Sequence, residues 1–304
     1  MDKTLDLIII GAGPAGITAS IYAARKKMDF LVVSADVGGQ TAWSGGIENY
    51  TGFQFITGPE LAQKFDEHIR QFQVPLELGR AIDRLHFEAG LWIAEGGGKR
   101  RAAKTAIVAT GRLPRKLNIP GEEEFKNRGV TYCATCDGPL FSGAEVAIVG
   151  GGNSALDAAL QMIRLARHVY LIQNIDRFTG DPVMLNKALE AKNLTAVTGA
   201  EVTAITGEKM VSGISLRQAG KERAFPVEGV FIEIGSEPVS KIVSGVETNQ
   251  FGEIVVDCSC RTSLPGLFAA GDVTTVPAKQ IIVAAGEGAK AAISAFEFLS
   301  SQPA

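Results

Sequence analysis

Residues 5–16 of the 304-residue chain read Leu-Asp-Leu-Ile-Ile-Ile-Gly-Ala-Gly-Pro-Ala-Gly. The apolar run predicts a strand over Leu5–Ile10, and the Gly-x-Gly-x-x-Gly turn after it predicts a helix over about 14–27 and a second strand over 30–34. In this order the turn glycines let backbone amides approach a pyrophosphate, whose negative charge the helix dipole favours. The stretch therefore predicts a βαβ unit of the dinucleotide-binding type.

A second copy of this pattern begins at Glu145. Residues 145–149 predict a strand, and the turn at 150–155, Gly-Gly-Gly-Asn-Ser-Ala, leads into a predicted helix and a strand over 169–172. Two copies at motif level indicate an α/β protein with two Rossmann-like dinucleotide-binding domains of the three-layer ββα type. We expect the second domain, 116–244, to be inserted in the first, which comprises 1–115 and 245–304.

Composition limits the classes of partner. Hydrophobic residues make up 46% and charged residues 21% of the chain, which is typical of a globular protein. The net charge of −3 gives no basic footprint for nucleic acid. No apolar run approaches the length of a membrane span, and no leader pattern precedes the first strand, so the sequence predicts a cytoplasmic protein without a membrane segment.

Residues 133–138 read Cys-Ala-Thr-Cys-Asp-Gly and lie about a dozen residues ahead of the second glycine turn. A Cys-x-x-Cys pair is the shortest spacing that closes an accessible, reversible disulfide, with one thiol attacking and the other resolving. A structural disulfide and a zinc site are the alternatives. A zinc site would need two more ligands at matching spacing, and the sequence offers Cys258, Cys260 and three scattered histidines. We therefore predict no metal and a redox role for Cys133 and Cys136.

These motifs together resemble those of a known family. The whole chain is similar to the low-molecular-weight bacterial thioredoxin reductases, and its second half also resembles the flavoprotein part of the alkyl hydroperoxide reductase partner. The resemblance is carried by residues 11–16, 38–40, 48–49, 133–138, 150–155, 267–272 and 279–291. It implies an FAD-dependent thioredoxin-disulfide reductase that works with thioredoxin or a thioredoxin-like protein, forms a homodimer, and rotates its inserted domain on linkers near 113–121 and 236–245.

The resemblance also implies roles for particular residues. It implies FAD bound by Gly11, Gly13, Pro14, Ala15, Gly16, Gly39, Gln40, Asn49, Thr110, Gly111, Gly271, Asp272, Gln280 and Ile281. Asp272 would contact the ribityl chain and Gln280 would lie near the flavin ring. Cys136 would face the flavin, Cys133 would attack the partner disulfide, and Asp137 would protonate the reduced flavin–thiolate system. The alternative for Asp137 is a capping or turn role before Gly138.

The second nucleotide site departs from the family pattern. Its predicted residues are Gly150, Gly152, Asn153, Ser154, Ala155 and Gln173. Asn174, Ile175 and Thr179 stand where NADPH-using members carry arginines for the 2′-phosphate, a group normally met by guanidinium forks. NADPH is therefore disfavoured. NADH would prefer a carboxylate at the strand end for the ribose hydroxyls, and Gln173 stands there instead. The donor is NADH or, if the site is silent, a non-pyridine donor such as a ferredoxin.

Two rival functions use the same motifs. An NADH oxidase or peroxiredoxin reductase would share the flavin and the dithiol. A non-catalytic flavin redox sensor would share them too, although sensing alone has no need of the acid Asp137. The remaining candidates have structural interpretations: His68, His86 and His168 are expected at the surface or in packing. Cys258 and Cys260 are expected to alternate along a strand over 254–257 and beyond, with both side chains on one face. They are expected as packing residues, or as a second redox or metal-sensitive pair.

Overall fold

The computed structural model describes residues 3–44 and 46–302. The strands in chain order are β1 Leu5–Ile10, β2 Phe30–Val33, β3 Leu76–Glu77, β4 Arg84–Glu88, β5 Leu91–Gly96, β6 Lys99–Val108, β7 Arg112–Pro114, β8 Val130–Thr131, β9 Glu145–Val149, β10 His168–Ile172, β11 Leu194–Val197, β12 Ala200–Gly207, β13 Val211–Gln218, β14 Lys221–Phe225, β15 Gly229–Ile232, β16 Ser236–Pro238 and β17 Leu267–Ala269. The α-helices are α1 Pro14–Arg25, α2 Gly58–Gln71, α3 Ala134–Asp137, α4 Asn153–Met162, α5 Pro182–Leu189 and α6 Ile281–Ser301. Short 3₁₀ helices cover Gly39–Trp43 and Gly138–Phe141.

The chain divides into two compact units. The first unit comprises the described residues of 1–43, 50–113 and 237–304, and the second comprises those of 44–49 and 114–236. The divisions fall within β7 and β16, which pair as a two-stranded ribbon. The boundaries expected from the sequence, 115 and 245, differ because β16 and the residues after it return to the first unit. The segment 44–49, in which Ile47 is buried, was expected in the first domain and groups with the second unit.

The first unit is built on a mostly parallel sheet with strand order β3-β2-β1-β6-β5-β4. β5 pairs antiparallel with the first half of β6, and β17 pairs parallel with its second half. Helices α1 and α6 cover one face, where Leu7, Ile9 and Ile107 lie in the same cluster as apolar residues of both helices. The parallel strands of this sheet bring the ends of β1, β6 and β17 to one edge, which is where ligands bind in such sheets.

The second unit has three layers. Its central parallel sheet has the order β11-β10-β9-β15-β8. On one face, Val149, Ile172 and Val230 pack in a cluster with residues of the antiparallel sheet β12-β13-β14. On the other face, Ile148, Leu171 and Phe231 pack in a cluster with α4. The expected three-layer arrangement is therefore present in this unit.

One predicted strand is wrong. Residues 254–257 make isolated bridges through Ile254 and no strand. The Asp257 carboxylate accepts hydrogen bonds from the backbone N–H of Ser259 (2.9 Å) and Arg261 (2.8 Å), and Cys260 adopts a left-handed backbone at φ 62°. These features turn the chain, because an aspartate that bonds the backbone two residues on competes with strand pairing. As a result Cys258 is exposed and Cys260 is buried. The prediction that both cysteine side chains lie on one face of a strand is therefore also wrong.

Candidate active site and nucleotide-binding turns

The first glycine turn, 11–16, joins β1 to α1 in the first unit. Gly11 has φ 106°, a conformation that favours glycine, and a methyl group at Gly16 would overlap the carbonyl oxygen of Gly11. Around Gly13, in contrast, no atom lies within 4 Å of where a methyl group would stand. Gly13 also caps α1 without a side-chain hydrogen bond, and Pro14 follows it. The turn is therefore packed tightly on its inner side and open on its outer side, as an incoming pyrophosphate requires.

The neighbouring loop closes one side of this turn. Gly38 N–H donates to Ala12 O (2.7 Å), and a methyl group at Gly39 would lie 3.5 Å from Gly13 Cα. The Gln40 side-chain amide donates to Arg112 O. Ser34, which stands where an acidic residue usually ends this strand, accepts a hydrogen bond from Ala12 N–H (3.0 Å) through its hydroxyl. Ser34 therefore fixes the glycine turn, and the residues present fit a bound dinucleotide.

The Gly271–Asp272 turn lies beyond β17 in the same unit. Gly271 N–H donates to the Glu287 carboxylate of α6 (3.0 Å). Burial raises the pKa of the Asp272 carboxyl, and the cations Lys279 and Arg112 oppose that rise. Both cations also bind Glu253, at 3.1 and 2.8 Å, so the carboxyl of Asp272 sits beside a charged network. Such a carboxyl can accept a hydrogen bond from a ligand hydroxyl.

The remaining predicted FAD residues of this unit lie at the ends of its elements. Thr110 follows β6 and donates from its hydroxyl to Val239 O (2.7 Å). Gln280 caps α6, and Ile281 is its first residue. Asn49 is the exception, because it belongs to the segment 44–49 that groups with the second unit. Its contact with FAD remains a prediction.

The dithiol lies at the start of α3 in the second unit. Cys133 and Cys136 form a disulfide and are both partly exposed. Cys133 caps the helix: its sulfur accepts a hydrogen bond from Cys136 N–H (3.2 Å), and its own N–H donates to the Thr131 hydroxyl (3.2 Å). A hydrogen bond to sulfur favours the thiolate of Cys133 once the disulfide is reduced. This geometry suits Cys133 to the attacking role.

Asp137 closes the same short helix. Its carboxyl is only 9% exposed, and its Oδ2 accepts a hydrogen bond from the Thr131 hydroxyl. Burial raises the pKa of Asp137, which the hydrogen bond from Thr131 only partly offsets. Its Oδ1 has no hydrogen-bond partner among the described residues. Asp137 makes no side-chain capping bond to the following 3₁₀ helix, so the alternative capping role is wrong, and the carboxyl is suited to holding a proton.

Sequence reasoning missed the side chains that hold the dithiol turn. The Glu233 carboxyl accepts a hydrogen bond from Ala134 N–H (3.4 Å), and the Gln161 side-chain amide donates to Ala134 O (3.0 Å). Thr131 bonds both Cys133 and Asp137. The signal in the sequence was the charged Glu233 in the otherwise apolar run 230–234, because an acid next to a buried strand usually has a specific partner.

The second glycine turn joins β9 to α4. A methyl group at Gly150 would overlap Glu233 O, and one at Gly151 would overlap the side chain of Gln173. Gln173 is buried and accepts a hydrogen bond from Asn174 N–H (3.1 Å). Gly152 caps α4 without a side-chain hydrogen bond. The N-terminus of α4 at Gly152 is therefore not capped by a side chain. The Gln173 side chain packs against Gly151 in the first half of the turn.

The loop after β10 is bound to this turn through its backbone. Thr179 N–H and Gly180 N–H both donate to Gly151 O, at 2.7 and 2.9 Å. Asp181 N–H donates to the Asn153 side chain (2.7 Å). The side chains of Asn174, Ile175 and Thr179 are exposed and uncharged, so these three positions offer no cation to a phosphate.

The other candidate residues are the remaining cysteines and the three histidines. Burial raises the pKa of the Cys260 thiol to about 12, which makes it unreactive. His68 is exposed, His86 pairs with Glu88 and His168 pairs with Thr195. Within the described ranges, no cluster of metal-ligating side chains occurs. Nor does any described helix have the length and apolar character needed to cross a membrane.

Comparison with known proteins identifies the class. The family model for pyridine nucleotide-disulphide oxidoreductases matches residues 5–288. The chain belongs to this family of flavoprotein disulphide oxidoreductases, with the two-domain dinucleotide-binding fold. It is 41% identical over 312 residues to the F component of the alkyl hydroperoxide reductase of Pseudomonas putida, covering 99% of this chain and 60% of the relative. It is 39% identical over 300 residues to an NADH dehydrogenase of Bacillus subtilis, covering 98% of this chain and 59% of the relative.

Solved structures point to the thioredoxin reductases within that family. Thioredoxin reductase from Streptococcus pyogenes superposes with a TM-score of 0.94 at 34% identity, covering 99% of this chain and all of the other. A ferredoxin-flavin thioredoxin reductase from Clostridium acetobutylicum gives a TM-score of 0.55 at 30% identity, covering 98% of this chain and 99% of the other. The chain spans about three fifths of the length of the curated relatives named above. The resemblance stated from the motifs is confirmed.

Proposed function

We propose that the protein is an FAD-dependent thioredoxin-disulfide reductase. The observation that carries this proposal is the partly exposed Cys133–Cys136 disulfide with the buried carboxyl of Asp137 at the end of the same short helix. A structural disulfide has no need of an adjacent buried acid, whereas a disulfide that is repeatedly reduced needs a proton source. The open glycine turn around Gly13 supports FAD as the cofactor, in the first unit.

The residues would act in a fixed order. A bound FAD would supply two electrons. With one proton, the Cys133–Cys136 bond would then open to one thiol and one thiolate. Asp137 holds a proton in its buried carboxyl and can deliver it where the thiolate forms. Cys133 then attacks the partner disulfide and releases one partner thiolate, and Cys136 attacks the mixed disulfide to release the second. The protein disulfide forms again and the partner leaves as a dithiol.

The donor is proposed to be NADH or a ferredoxin-type protein rather than NADPH. Exposed Asn174, Ile175 and Thr179 offer no positive charge to a 2′-phosphate. The relative named NADH dehydrogenase supports NADH, and the neighbour named ferredoxin-flavin thioredoxin reductase supports the second donor. Gln173 retains a lone pair on its side-chain oxygen for a ribose hydroxyl, which favours NADH as the first candidate.

Anaerobic titration of the flavin tests cofactor and donor together. The purified protein is titrated separately with NADPH, NADH, reduced ferredoxin and dithionite while the flavin absorbance is followed. We expect bleaching by NADH or ferredoxin and little by NADPH. Rapid bleaching by NADPH would contradict our interpretation of positions 174, 175 and 179. Thioredoxin added afterwards should reoxidise the flavin, and this step requires Cys133 and Cys136.

A peroxiredoxin reductase is the second candidate, and the 41% identity to the alkyl hydroperoxide reductase component favours it. It would use the same dithiol with a different thioredoxin-fold partner. Peroxide consumption coupled to a peroxiredoxin, measured beside thioredoxin reduction at matched concentrations, separates the two. A redox sensor of the non-catalytic class predicts no multiple turnover with either partner.

The assembly and its motion are proposals that rest on the resemblance. We expect a homodimer, which sedimentation analysis of the flavin-loaded protein would test. We expect the second unit to rotate between flavin and partner on linkers near 113–121 and 236–245, and a cytoplasmic location. A disulfide engineered across those linkers would test the rotation by stopping turnover with thioredoxin while leaving reduction of the flavin by dithionite intact.

A further inference from the structure

Glu233 is a partly buried acid for which the proposed reaction has no assigned use. It follows β15 directly, and its own N–H donates to Val149 O (2.8 Å), which fixes its backbone against β9. Its carboxyl accepts a hydrogen bond from Ala134 N–H (3.4 Å). Ala134 N is bonded covalently to the carbonyl carbon of Cys133. The carboxyl therefore lies beside the backbone of the dithiol.

The second polar atom of Ala134 is held from another element. The Gln161 side-chain amide of α4 donates to Ala134 O (3.0 Å). Ala134 is thus held at its N–H by Glu233 and at its carbonyl by Gln161, while Thr131 bonds Cys133 and Asp137. Glu233 and Asp137 reach the dithiol turn through different hydrogen-bond partners, so one carboxyl cannot replace the other.

The charges around Glu233 favour its neutral form. Burial raises the pKa of the Glu233 carboxyl to about 7. The hydrogen bond from Ala134 N–H opposes this rise, and the Asp157 carboxylate of α4 adds to it. Asp137 of α3 is the other acid near the dithiol turn. No ion pair joins Glu233 to a lysine or arginine in the described part of the chain. A new negative charge close to Glu233 would raise its proton affinity further.

We propose that Glu233 is a positioning residue for the dithiol turn that binds a proton when the Cys133–Cys136 disulfide is reduced. Reduction takes two electrons and one proton and gives one thiol and one thiolate. The thiolate charge then favours protonation of the Glu233 carboxylate, with the second proton coming from solvent. This inference deepens the proposed function by adding a second proton-linked acid to the dithiol.

The test measures the disulfide equilibrium against dithiothreitol, which supplies the two electrons and itself becomes a cyclic disulfide. The fraction of reduced Cys133 and Cys136 is determined by thiol trapping from pH 6 to pH 9 for the wild type and for Glu233→Gln. These fractions give the equilibrium constant for reduction of each protein. Dividing the wild-type constant by that of Glu233→Gln cancels the pH dependence of dithiothreitol. Because ionised Glu233 opposes the thiolate, the wild-type protein should become relatively harder to reduce as pH rises through 7. We expect the ratio of the wild-type constant to the Glu233→Gln constant to fall at least about threefold over this range. This is the effect of a rise of about half a unit in the pKa of Glu233 on reduction.

Two further variants keep the test decisive. Glu233→Ala removes the acceptor for Ala134 N–H and should change the equilibrium even at pH 6, where Glu233→Gln should match the wild type. Asp157→Asn removes a charge that favours protonated Glu233, so the same fall should appear at lower pH. The proposal would be overturned if the ratio of wild type to Glu233→Gln did not change with pH. It would also be overturned if the fall occurred at the same pH in Asp157→Asn as in the wild type. Thiol trapping needs neither donor nor thioredoxin, so failure of thioredoxin turnover would count against the proposed function alone.

Discussion

At the scale of the residue, burial raises the pKa of the Asp137 carboxyl, as the proposed proton-donor role requires. A carboxyl in low-dielectric surroundings keeps its proton to higher pH, because the charged form loses solvation. Thr131 orients Asp137 and also bonds Cys133 N–H. The same burial that suits the acid to its proposed role also makes its ionised form costly to the folded state.

Replacing Asp137 with Asn should separate these two effects. We expect disulfide turnover to fall by about 10²–10⁴-fold, which is the range for loss of a general acid. The raised pKa means that folding binds a proton, so stability from this group is full below the unfolded pKa and is lost as pH rises through the folded pKa. The Asn side chain does not ionise, so the variant does not lose this stability as pH rises. Its free energy of unfolding relative to that of the wild type should therefore be higher at pH 8 than at low pH. Urea unfolding of both proteins, followed in steps from pH 4 to pH 8, checks this. Equal pH dependence of the free energy of unfolding in both proteins would contradict it.

Donor choice is also a residue-scale property. Asn174, Ile175 and Thr179 are exposed, so arginines can replace them without burying charge. The triple variant Asn174→Arg, Ile175→Arg, Thr179→Arg should bind NADP⁺ at least tenfold more tightly, because each charged hydrogen bond is worth about 1.5–3 kcal/mol before solvent screening. NAD⁺ affinity should stay nearly unchanged and serves as the control. Both are measured by fluorescence titration, and an unchanged NADP⁺ affinity would place the ribose elsewhere.

At the scale of the element, the crossing of α1 and α6 brings the two ends of the first unit's chain together. A methyl group at Gly288 would overlap Ala15 O of α1, whereas one at Gly286 would meet nothing within 4 Å. Between them, Glu287 accepts the hydrogen bond from Gly271 N–H (3.0 Å). The close crossing therefore positions the Gly271–Asp272 turn as well as the helices.

Two substitutions in α6 should have opposite effects. Gly286→Ala should stabilise the protein by up to about 1 kcal/mol, because alanine has the higher helix propensity and no neighbour is displaced. Gly288→Ala should destabilise it and weaken flavin binding, because α1 must move away from α6. Thermal unfolding and flavin content are measured for both. If Gly288→Ala behaved like Gly286→Ala, the close crossing would not matter for the site.

Local signals account for what the sequence predicted well. β1 is as expected, and α1 begins at Pro14 as the glycine turn predicts, because these patterns depend on neighbours in the chain. The strand expected at 254–257 was wrong, because the Asp257 side chain bonds the backbone and turns it. The local pattern marks Glu233 as an acid in an apolar run. It does not encode the contact with Ala134, which lies 99 residues away in the chain.

At the scale of the whole molecule, the proposed work divides between the two units. The glycine turn around Gly13 belongs to the first unit, and the Cys133–Cys136 disulfide with Asp137 belongs to the second. Each unit has its own central sheet and its own buried clusters. A protein divided in this way can lose one site while the other keeps its structure, which makes the two sites separable by substitution.

Gly13→Ala is the substitution that tests this separation. The backbone at Gly13 is extended, with φ −76° and ψ −174°, and no atom lies within 4 Å of the new methyl group, so the fold accepts alanine. The methyl group occupies the open side of the turn, and flavin affinity should fall at least about tenfold, the effect of roughly 1.4 kcal/mol. The disulfide equilibrium with dithiothreitol and the unfolding of the flavin-free protein should match the wild type.

Gly16→Ala is the matched control in the same turn. Its methyl group would overlap the Gly11 carbonyl, so flavin affinity and the stability of the flavin-free protein should fall together. Flavin affinity is measured by fluorescence titration of the flavin-free proteins, and the dithiol by thiol trapping. If Gly13→Ala retained wild-type flavin affinity, the open face of this turn would not be where the cofactor binds. If it altered the disulfide equilibrium, the two sites would be coupled in the absence of the flavin, and the division of work between the units would fail.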